Sequence, residues 1–465
     1  TSEILPYFLV QFSGSIVVTP RTLDVFEPYI ERHIMRKAIR VSRWISAERR
    51  GAIAVIVAVL LVPLMGFVAF CVDIGWMAAT KSALQNAADS AASAGARQLT
   101  DNYASYTIPS QTNRQGLINS AEVIAKTYSS LYCGYNGAGG VSSLNLLASD
   151  MIFGFTDTAN NFSSTASYAG FPNTLKVVVR RDASANGRLP FFFAPIFGRK
   201  DTALTATAST TIYTGLVTSF GPVGLVSGGS GGIGSGVSSG ASGSNWGAGF
   251  WGSSSLASTL LPVAFDVNSW NAYFATGVSH DGTVHADGTG TPTIQIYPSP
   301  KQSPGNFGLL CIGPWTNADP TYKNWILNGP SASDLQYLVN SGAYPVSMSS
   351  PKAWKGTPGL RSTLTSAFSS IIGQPRLLPL FKPASTTPYQ AASGNGSNTT
   401  YSIVGFAGVT VTSVSGNGSN MNISVQPCSV IDPTAVFDAA TIYPAGTEPS
   451  NQLKSFTFVS PKFTR

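Results

Sequence analysis

The chain has 465 residues, 43% of them hydrophobic, which is enough for a buried core, while charged residues make up only 11% and Gly (47) and Pro (29) are plentiful. Its formal charge of +7 is concentrated, because between Met35 and Gly51 six basic residues face one acidic residue, Glu48. That excess is a membrane-flank signal, and with no Lys/Arg stripe interleaved with aromatics the composition argues against nucleic-acid binding.

The chain opens on Thr1 and shows no periodic pattern before Met35, which begins MRKAIRVSRW. Residues 1–34 therefore read as an irregular N-terminal extension, expected not to be native, and 35–51 as a basic cytoplasmic leader. Between Gly51 and Asp73 there is no charged side chain. At about 1.5 Å per residue this stretch is roughly 30 Å long, the thickness of a bilayer core, so 52–72 is expected to be a transmembrane helix. A cleaved signal peptide has a shorter apolar core, about 7–15 residues, and a lipoprotein signal needs a small residue where Phe70 precedes Cys71. The positive-inside rule puts the N-terminal side in the cytoplasm and everything after Asp73 outside. Pro63 removes one backbone hydrogen bond within the span and can kink it.

Beyond Asp73 the pattern predicts that the helix continues over 73–100. Lys81, Gln85, Asp89, Ser93 and Arg97 recur every four residues as a polar stripe, while Leu84, Ala87, Ala88, Ala91, Ala92 and Gly95 form small apolar faces. Ala87, Ala91 and Gly95 permit close approach, either of another chain's helix or of the protein's own ectodomain. Residues 101–220 read as a helix plus a β-rich region. The pattern breaks over Asn102–Gln111, a second helix is expected over Gly116–Tyr132, and MIFGFTD, LKVVVRR and LTATASTTIY alternate as strands. The connection RRDASANGRLPFFFAPIFGRKD carries an apolar knob, Phe191, Phe192, Phe193, Ile196 and Phe197, whose composition is that of a core.

Residues 221–258 are a Gly/Ser-rich loop. The matches there to G-x-S-x-G (Gly228–Gly232) and G-x-G-x-x-G (Gly229–Gly234) lack the strand and helix that either chemistry requires. From 259 to 465 an α+β ectodomain is expected, with helices near Ser331–Asn340 and Gly359–Ile372 and strands in RLLPLF, YSIVGFAGVTVTSVSG, NMNISVQPCSV and SFTFV. The fold class is thus α+β: a transmembrane helix continuing into an extracytoplasmic Ala-rich helix, then a β-rich ectodomain in two parts.

No catalytic, cofactor or metal constellation stands out, and the chain is not expected to be an enzyme. His280, Asp281, His285 and Asp287 lie close together, but Asp281-Gly282 and Asp287-Gly288 are ordinary turn dipeptides. Asp266 opens an adhesion-type metal motif that fails, because Asn268 and Trp270 occupy the positions that need hydroxyl ligands. Cys71, Cys133, Cys311 and Cys428 include no C-x-x-C pair. In an oxidising space the expected disulfide is Cys311–Cys428, since both follow strand-like runs; three reduced thiols outside the span are the alternative.

The run RRGAIAVIVAVLLVPLMGFVAFCVDIG followed by LQNAADSAASAGARQL resembles the N-terminal region of TadE/TadG-like Flp (Tad-type) pilus-assembly proteins, of the long TadG-related kind. The resemblance rests on the span, on Asp73 and Gly75, and on Leu84, Gln85, Ala87, Ala88 and Asp89 at fixed offsets. It extends more weakly to VVVRRDASANGRLPFFFAPIFG, SAFSSIIGQPRLLPLF and YSIVGFAGV. It implies a bacterial inner-membrane, single-pass protein with a periplasmic or extracellular ectodomain. The implied partners are the lipid bilayer, other pilus-assembly or pilin subunits, and copies of itself. Prepilin-like members are cut after a glycine with Glu five residues on; here Gly51 is followed at that distance by Ile56. The expected function is a non-enzymatic anchored assembly component acting through helix packing and ectodomain contacts. The alternatives are a structural subunit or minor pilin of a filament or surface appendage, and an anchored metal-dependent adhesin.

Overall fold

The computed structural model describes residues 31–165, 170–220, 259–279, 282–287, 290–297, 308–314, 316, 318–358, 361–383, 399–416, 421–432 and 434–463. It divides into two units, Thr1–Val72 and Asp73–Arg465. Within the first, the described residues are helical from Glu31, so the extension expected to be irregular to residue 34 is already helix at its end. The side chains from Ile53 to Val72 that are large and apolar, among them Val59, Val62, Leu64, Phe67 and Phe70, are all exposed. A soluble protein's core helix would hide them; a helix long and apolar enough to cross a membrane presents them to lipid.

That helix, α1 (Glu31–Thr107), carries Pro63 inside it and runs without a break into the second unit. It is followed by α2 (Arg114–Gly134), close to the expected second helix. From Ala87 to Thr100 no residue of α1 is exposed. The Ala-rich stretch is therefore the central rod of the second unit rather than a helix lying on its surface.

The first strands are β1 (Met151–Thr156), β2 (Phe162–Ser164), β3 (Thr174–Arg181), β4 (Leu189–Pro190), β5 (Asp201–Thr202), β6 (Leu204–Thr214) and β7 (Val217–Phe220). Past the Gly/Ser-rich loop come β8 (Phe265–Asp266), α3 (Val267–Thr276), β9 (His285–Ala286), β10 (Pro292–Tyr297) and β11 (Gly308–Leu310). Next are α4 (Asp319–Asn328), α5 (Ala332–Asn340), β12 (Lys352–Pro358), α6 (Thr365–Ser369), β13 (Pro375–Lys382), β14 (Thr399–Ser415) and β15 (Asn422–Pro427). The chain closes on β16 (Ala435–Phe437), β17 (Tyr443–Pro444) and β18 (Phe458–Phe463). The protein is thus mixed helix and sheet, as expected.

One antiparallel sheet has the order β17-β6-β3-β1-β2, with β18 also on β6. A second, larger sheet has the order β11-β12-β14-β15-β10-β9, with β13 joining β14 to β8, and β7 with β16 and β4 with β5 form two small two-stranded sheets. The separate sheets agree with the β-rich region in two parts expected from the sequence, and strands after the Gly/Ser-rich loop also return to those before it. β16 pairs with β7 in a separate two-stranded sheet, and β17 and β18 pair with β6 in the first sheet, so the chain's last strands return to those before the loop and 73–465 forms one unit. The loop itself, residues 221–258, lies outside the described residues, as do the two Gly-rich motif matches within it.

The expected Cys311–Cys428 disulfide is corrected, since both thiols are free. The Cys311 N–H continues the pairing of β11 with β12 by donating to Lys355 O, whereas the Cys428 N–H donates to Gly408 O beyond β15. Between those strands lie β12 and β14, so three spacings of about 4.8 Å separate them, against the roughly 7 Å that a disulfide spans.

Candidate functional site at the membrane-proximal end

Asp73 is the first charged residue after the apolar stretch and, although polar, it is only 4% exposed. Its carboxylate accepts three backbone N–H bonds from one loop: Phe192 to Oδ1 at 2.8 Å, Phe193 to Oδ2 at 3.1 Å and Ala194 to Oδ2 at 2.7 Å. Burial opposes the charged form, but the three donors outweigh it and hold this carboxyl below its ordinary value. Trp76, one turn on, packs its ring 5.6 Å from that of Phe192.

The loop is the tip of a short hairpin. β4 pairs with β5, the Phe191 N–H donates to Lys200 O, and a single 3-10 turn (Ala194–Phe197) closes on Gly198 at φ 80°, a conformation glycine adopts without strain. The arm behind it is braced by Arg181, a buried guanidinium that donates to the carbonyls of Ala138, Gly139, Gly187 and Arg188. Asp182 accepts from the Ser184 and Ala185 N–H groups, and Asn186, at φ 61°, donates its side-chain amide to Arg180 O. Thus RRDASANG is a tight turn that aims the hairpin. The knob expected to be core is instead outside: Phe192 is 62% exposed, Ile196 80% and Phe197 77%, with Phe193 also exposed. Composition marks hydrophobicity, but only the turn residues around the knob mark it as a tip.

Further along α1, the polar stripe covers a sheet edge. β6 pairs with β3 on one side, while between Thr205 and Thr207 its other edge carries no strand among the described residues. Lys81 Nζ donates to Thr205 O, and Gln85 Nε2 donates to Thr207 O at 3.1 Å and to Asp89 Oδ1 at 2.8 Å. The fit is geometric: four helical residues rise about 6 Å, and two strand residues advance about 6.8 Å.

The small-residue face meets the protein's own fold. Leu84, Ala87, Ala88, Ala91 and Ala92 are fully buried, and the Ser129 hydroxyl of α2 donates to Ala91 O at 3.0 Å. A Cβ added at Gly95 would fall inside contact distance of Ser129 Oγ and Leu175 Cδ2 and lie 3.0 Å from the Ala125 carbonyl. The close approach that Ala87, Ala91 and Gly95 permit is therefore used by α2 and β3. Gly75 differs, because a Cβ there would meet nothing within 4 Å. Gly51 is placed in α1 and Pro63 is exposed on the same helix.

The other sequence candidates are spread through the second sheet region. Asp266 caps α3, accepting from Asn268 N at 2.8 Å, and the Trp270 indole donates to Lys454 O at 2.8 Å. Asp287 accepts from Thr291 N and from the Gln426 amide, and His285 Nε2 is hydrogen-bonded to the Thr283 hydroxyl; His280 and Asp281 lie outside the described residues.

A bare apolar span that becomes the buried rod of a folded unit defines a membrane-anchored protein. Residues 51–98 match the family described as putative Flp pilus-assembly TadE/G-like, which supports a part in Flp/Tad pilus assembly and identifies the segment that the sequence resemblance rested on. Searches of curated proteins and of solved structures find no match to the chain.

Proposed function

We propose that the protein is a non-enzymatic, single-pass inner-membrane component of Flp pilus assembly, with its N-terminus in the cytoplasm and its ectodomain outside. It acts through contacts of its span and ectodomain surface with other pilus-assembly subunits or copies of itself. The observation that carries the reading is the matched stretch 51–98, which takes in both the lipid-type span and the rod that holds the ectodomain together. The basic leader before Gly51 supports the orientation. Buried carboxylates support a structural rather than catalytic use of polar groups: Asp150 clamps Arg180, Asp266 caps α3, and Asp432 accepts from Thr259 N and Thr434 N.

A filament or minor-pilin subunit is the second reading, favoured by one observation: the span from Ile53 to Val72 is bare and could bundle with like spans. Ile56, where prepilin-like members carry Glu, speaks for the anchor. Fractionation of pilus-making cells separates the two. The anchor reading expects protein with its N-terminal leader in the inner membrane and loss of pili on deletion; sheared filaments containing chains that begin at Ala52 would refute it.

A further inference from the structure

We propose that the hairpin tip Phe191–Phe197 is a second membrane contact, a rigid wedge that seats its apolar side chains at the headgroup–acyl boundary of the same bilayer that the span crosses. The inference rests on the anchor reading and goes beyond it, because it gives the ectodomain a fixed seat on the lipid surface.

Four large apolar side chains, Phe192, Phe193, Ile196 and Phe197, stand exposed together on a turn that gives them no cover. Scattered apolar residues are ordinary on a surface, but a cluster of this kind marks an interaction site. Its place identifies the occupant. The loop is clamped on Asp73, and the residue before Asp73 is Val72, the last of the uncharged stretch. A tip tied to that point is held where the chain leaves the hydrocarbon. Farther from Asp73 along α1, Lys81 and Gln85 engage Thr205 and Thr207, so the arm descends along the rod toward Asp73 and ends in the knob.

The chemistry of the rim agrees. Arg199 and Lys200 are exposed immediately behind the knob, and the nearby acidic residue, Asp201, is paired with Arg188 at 2.6 Å. Apolar side chains below cations suit acyl chains below phosphates. The tip is also preorganised, by three N–H bonds to Asp73, the β4–β5 pair and the Gly198 closure, so little ordering is needed for it to seat. Trp76 beside Phe192 adds an aromatic of the kind enriched at the interface.

The test uses the full chain in bilayers of zwitterionic and anionic phospholipid. Cys71 and Cys428 are replaced by Ser, while Cys133 and Cys311 are buried thiols pushed up by burial and stay unlabelled. Single nitroxide labels are placed at Ile196→Cys and Phe197→Cys on the tip, Val62→Cys in the span and Val123→Cys on the exposed face of α2. Power saturation against oxygen and a nickel chelate reads their depth. The tip labels are expected to collide more with oxygen than with nickel, at a depth of about 5–10 Å below the headgroups. Val62→Cys should read deeper and Val123→Cys should read water. Tip labels as open to nickel as Val123→Cys, with Val62→Cys still deep, would overturn the wedge and leave the anchor standing. Tip labels shielded from both reagents would also overturn it, because protein would then cover the knob. A water-exposed Val62→Cys would remove the anchor, and the wedge with it.

Discussion

Gly95→Ala is the sharpest probe of how α1 is held. In an open helix the change is favourable by about 1 kcal/mol, since alanine is the better helix former. At this position the new methyl would enter the space of Ser129 Oγ and Leu175 Cδ2 and approach the Ala125 carbonyl to 3.0 Å, so α2 or β3 has to move. Overpacking of that kind costs about 1–3 kcal/mol. Ser129 cannot turn away without losing its 3.0 Å bond to Ala91 O, a further loss of about 1 kcal/mol. The net expectation is destabilisation by about 1–3 kcal/mol despite the better helix propensity. Thermal unfolding of the full chain in lipid nanodiscs, followed by near-UV circular dichroism, reads it as a fall in Tm of up to a few degrees. Gly75→Ala is the internal control, because nothing lies within 4 Å of its added methyl and stability should hold or rise. Adding Ser129→Ala to Gly95→Ala should recover part of the loss by removing a crowded atom. A Gly95→Ala variant that melts at or above the parent would refute the tight α1–α2–β3 junction.

Three further outcomes are expected. Asp73 has its folded-state pKa below the unfolded value, so its stabilisation is present above the ordinary carboxylate range and lost as pH falls through the lowered value. Pepsin cutting at Phe191–Phe193 should therefore quicken in that acid window relative to Asp73→Ala, which is cut fast throughout; identical profiles for the two proteins would count against the clamp. Gln85→Leu leaves the Thr207 carbonyl without its side-chain donor, at about 0.5–1.5 kcal/mol, and should raise self-association through the β6 edge, read by analytical ultracentrifugation. Burial pushes the Cys133 thiol up to about 11, so native protein at pH 8 should resist iodoacetamide there, while unfolding without reductant should release all four cysteines as thiols; a recovered Cys311–Cys428 peptide would contradict the sheet order.

The parts of the fold that follow from local periodicity were legible in the sequence. The four-residue spacing from Lys81 to Arg97 gives a helix with a polar side, and both that helix and α2 are found. Small residues at Ala87, Ala91 and Gly95 announce a close neighbour without naming it. The complement was present in α2, whose buried positions Ala121, Ala125 and Ser129 repeat the same four-residue spacing. The return of β17 and β18 to β6 was not legible, because pairing over more than two hundred residues leaves no local mark, and β17 is only Tyr443–Pro444. The knob was misread for a related reason: hydrophobicity reports what a side chain avoids, not what covers it. Pro190, Pro195 and Gly198 around the phenylalanines, and basic residues at Arg188, Arg199 and Lys200, were the available signs of a tip at a lipid surface.

The matched stretch ends at Gln98, and its half beyond the apolar span is explained almost residue by residue by contacts inside the chain. Asp73 ties down the hairpin, Gln85 covers β6 with Asp89 holding its amide, Leu84, Ala87 and Ala88 fill the core, the Ala91 carbonyl takes the Ser129 hydroxyl, and Gly95 makes room for α2 and β3. Such a segment is first an instruction for burying one helix in its own folded unit. A residue committed to that packing is unavailable to a partner, because exposing it would cost the core contacts it makes. On the proposed reading, recognition of other subunits falls to surfaces that the segment leaves bare, the exposed side chains from Ile53 to Val72 and the exterior of the second unit. Substitutions on the buried face should therefore lower stability and the amount of protein together, whereas substitutions such as Val62→Ala on the bare face should leave the amount unchanged and alter assembly alone. A buried-face variant with normal stability and abundance but no pili would break this division.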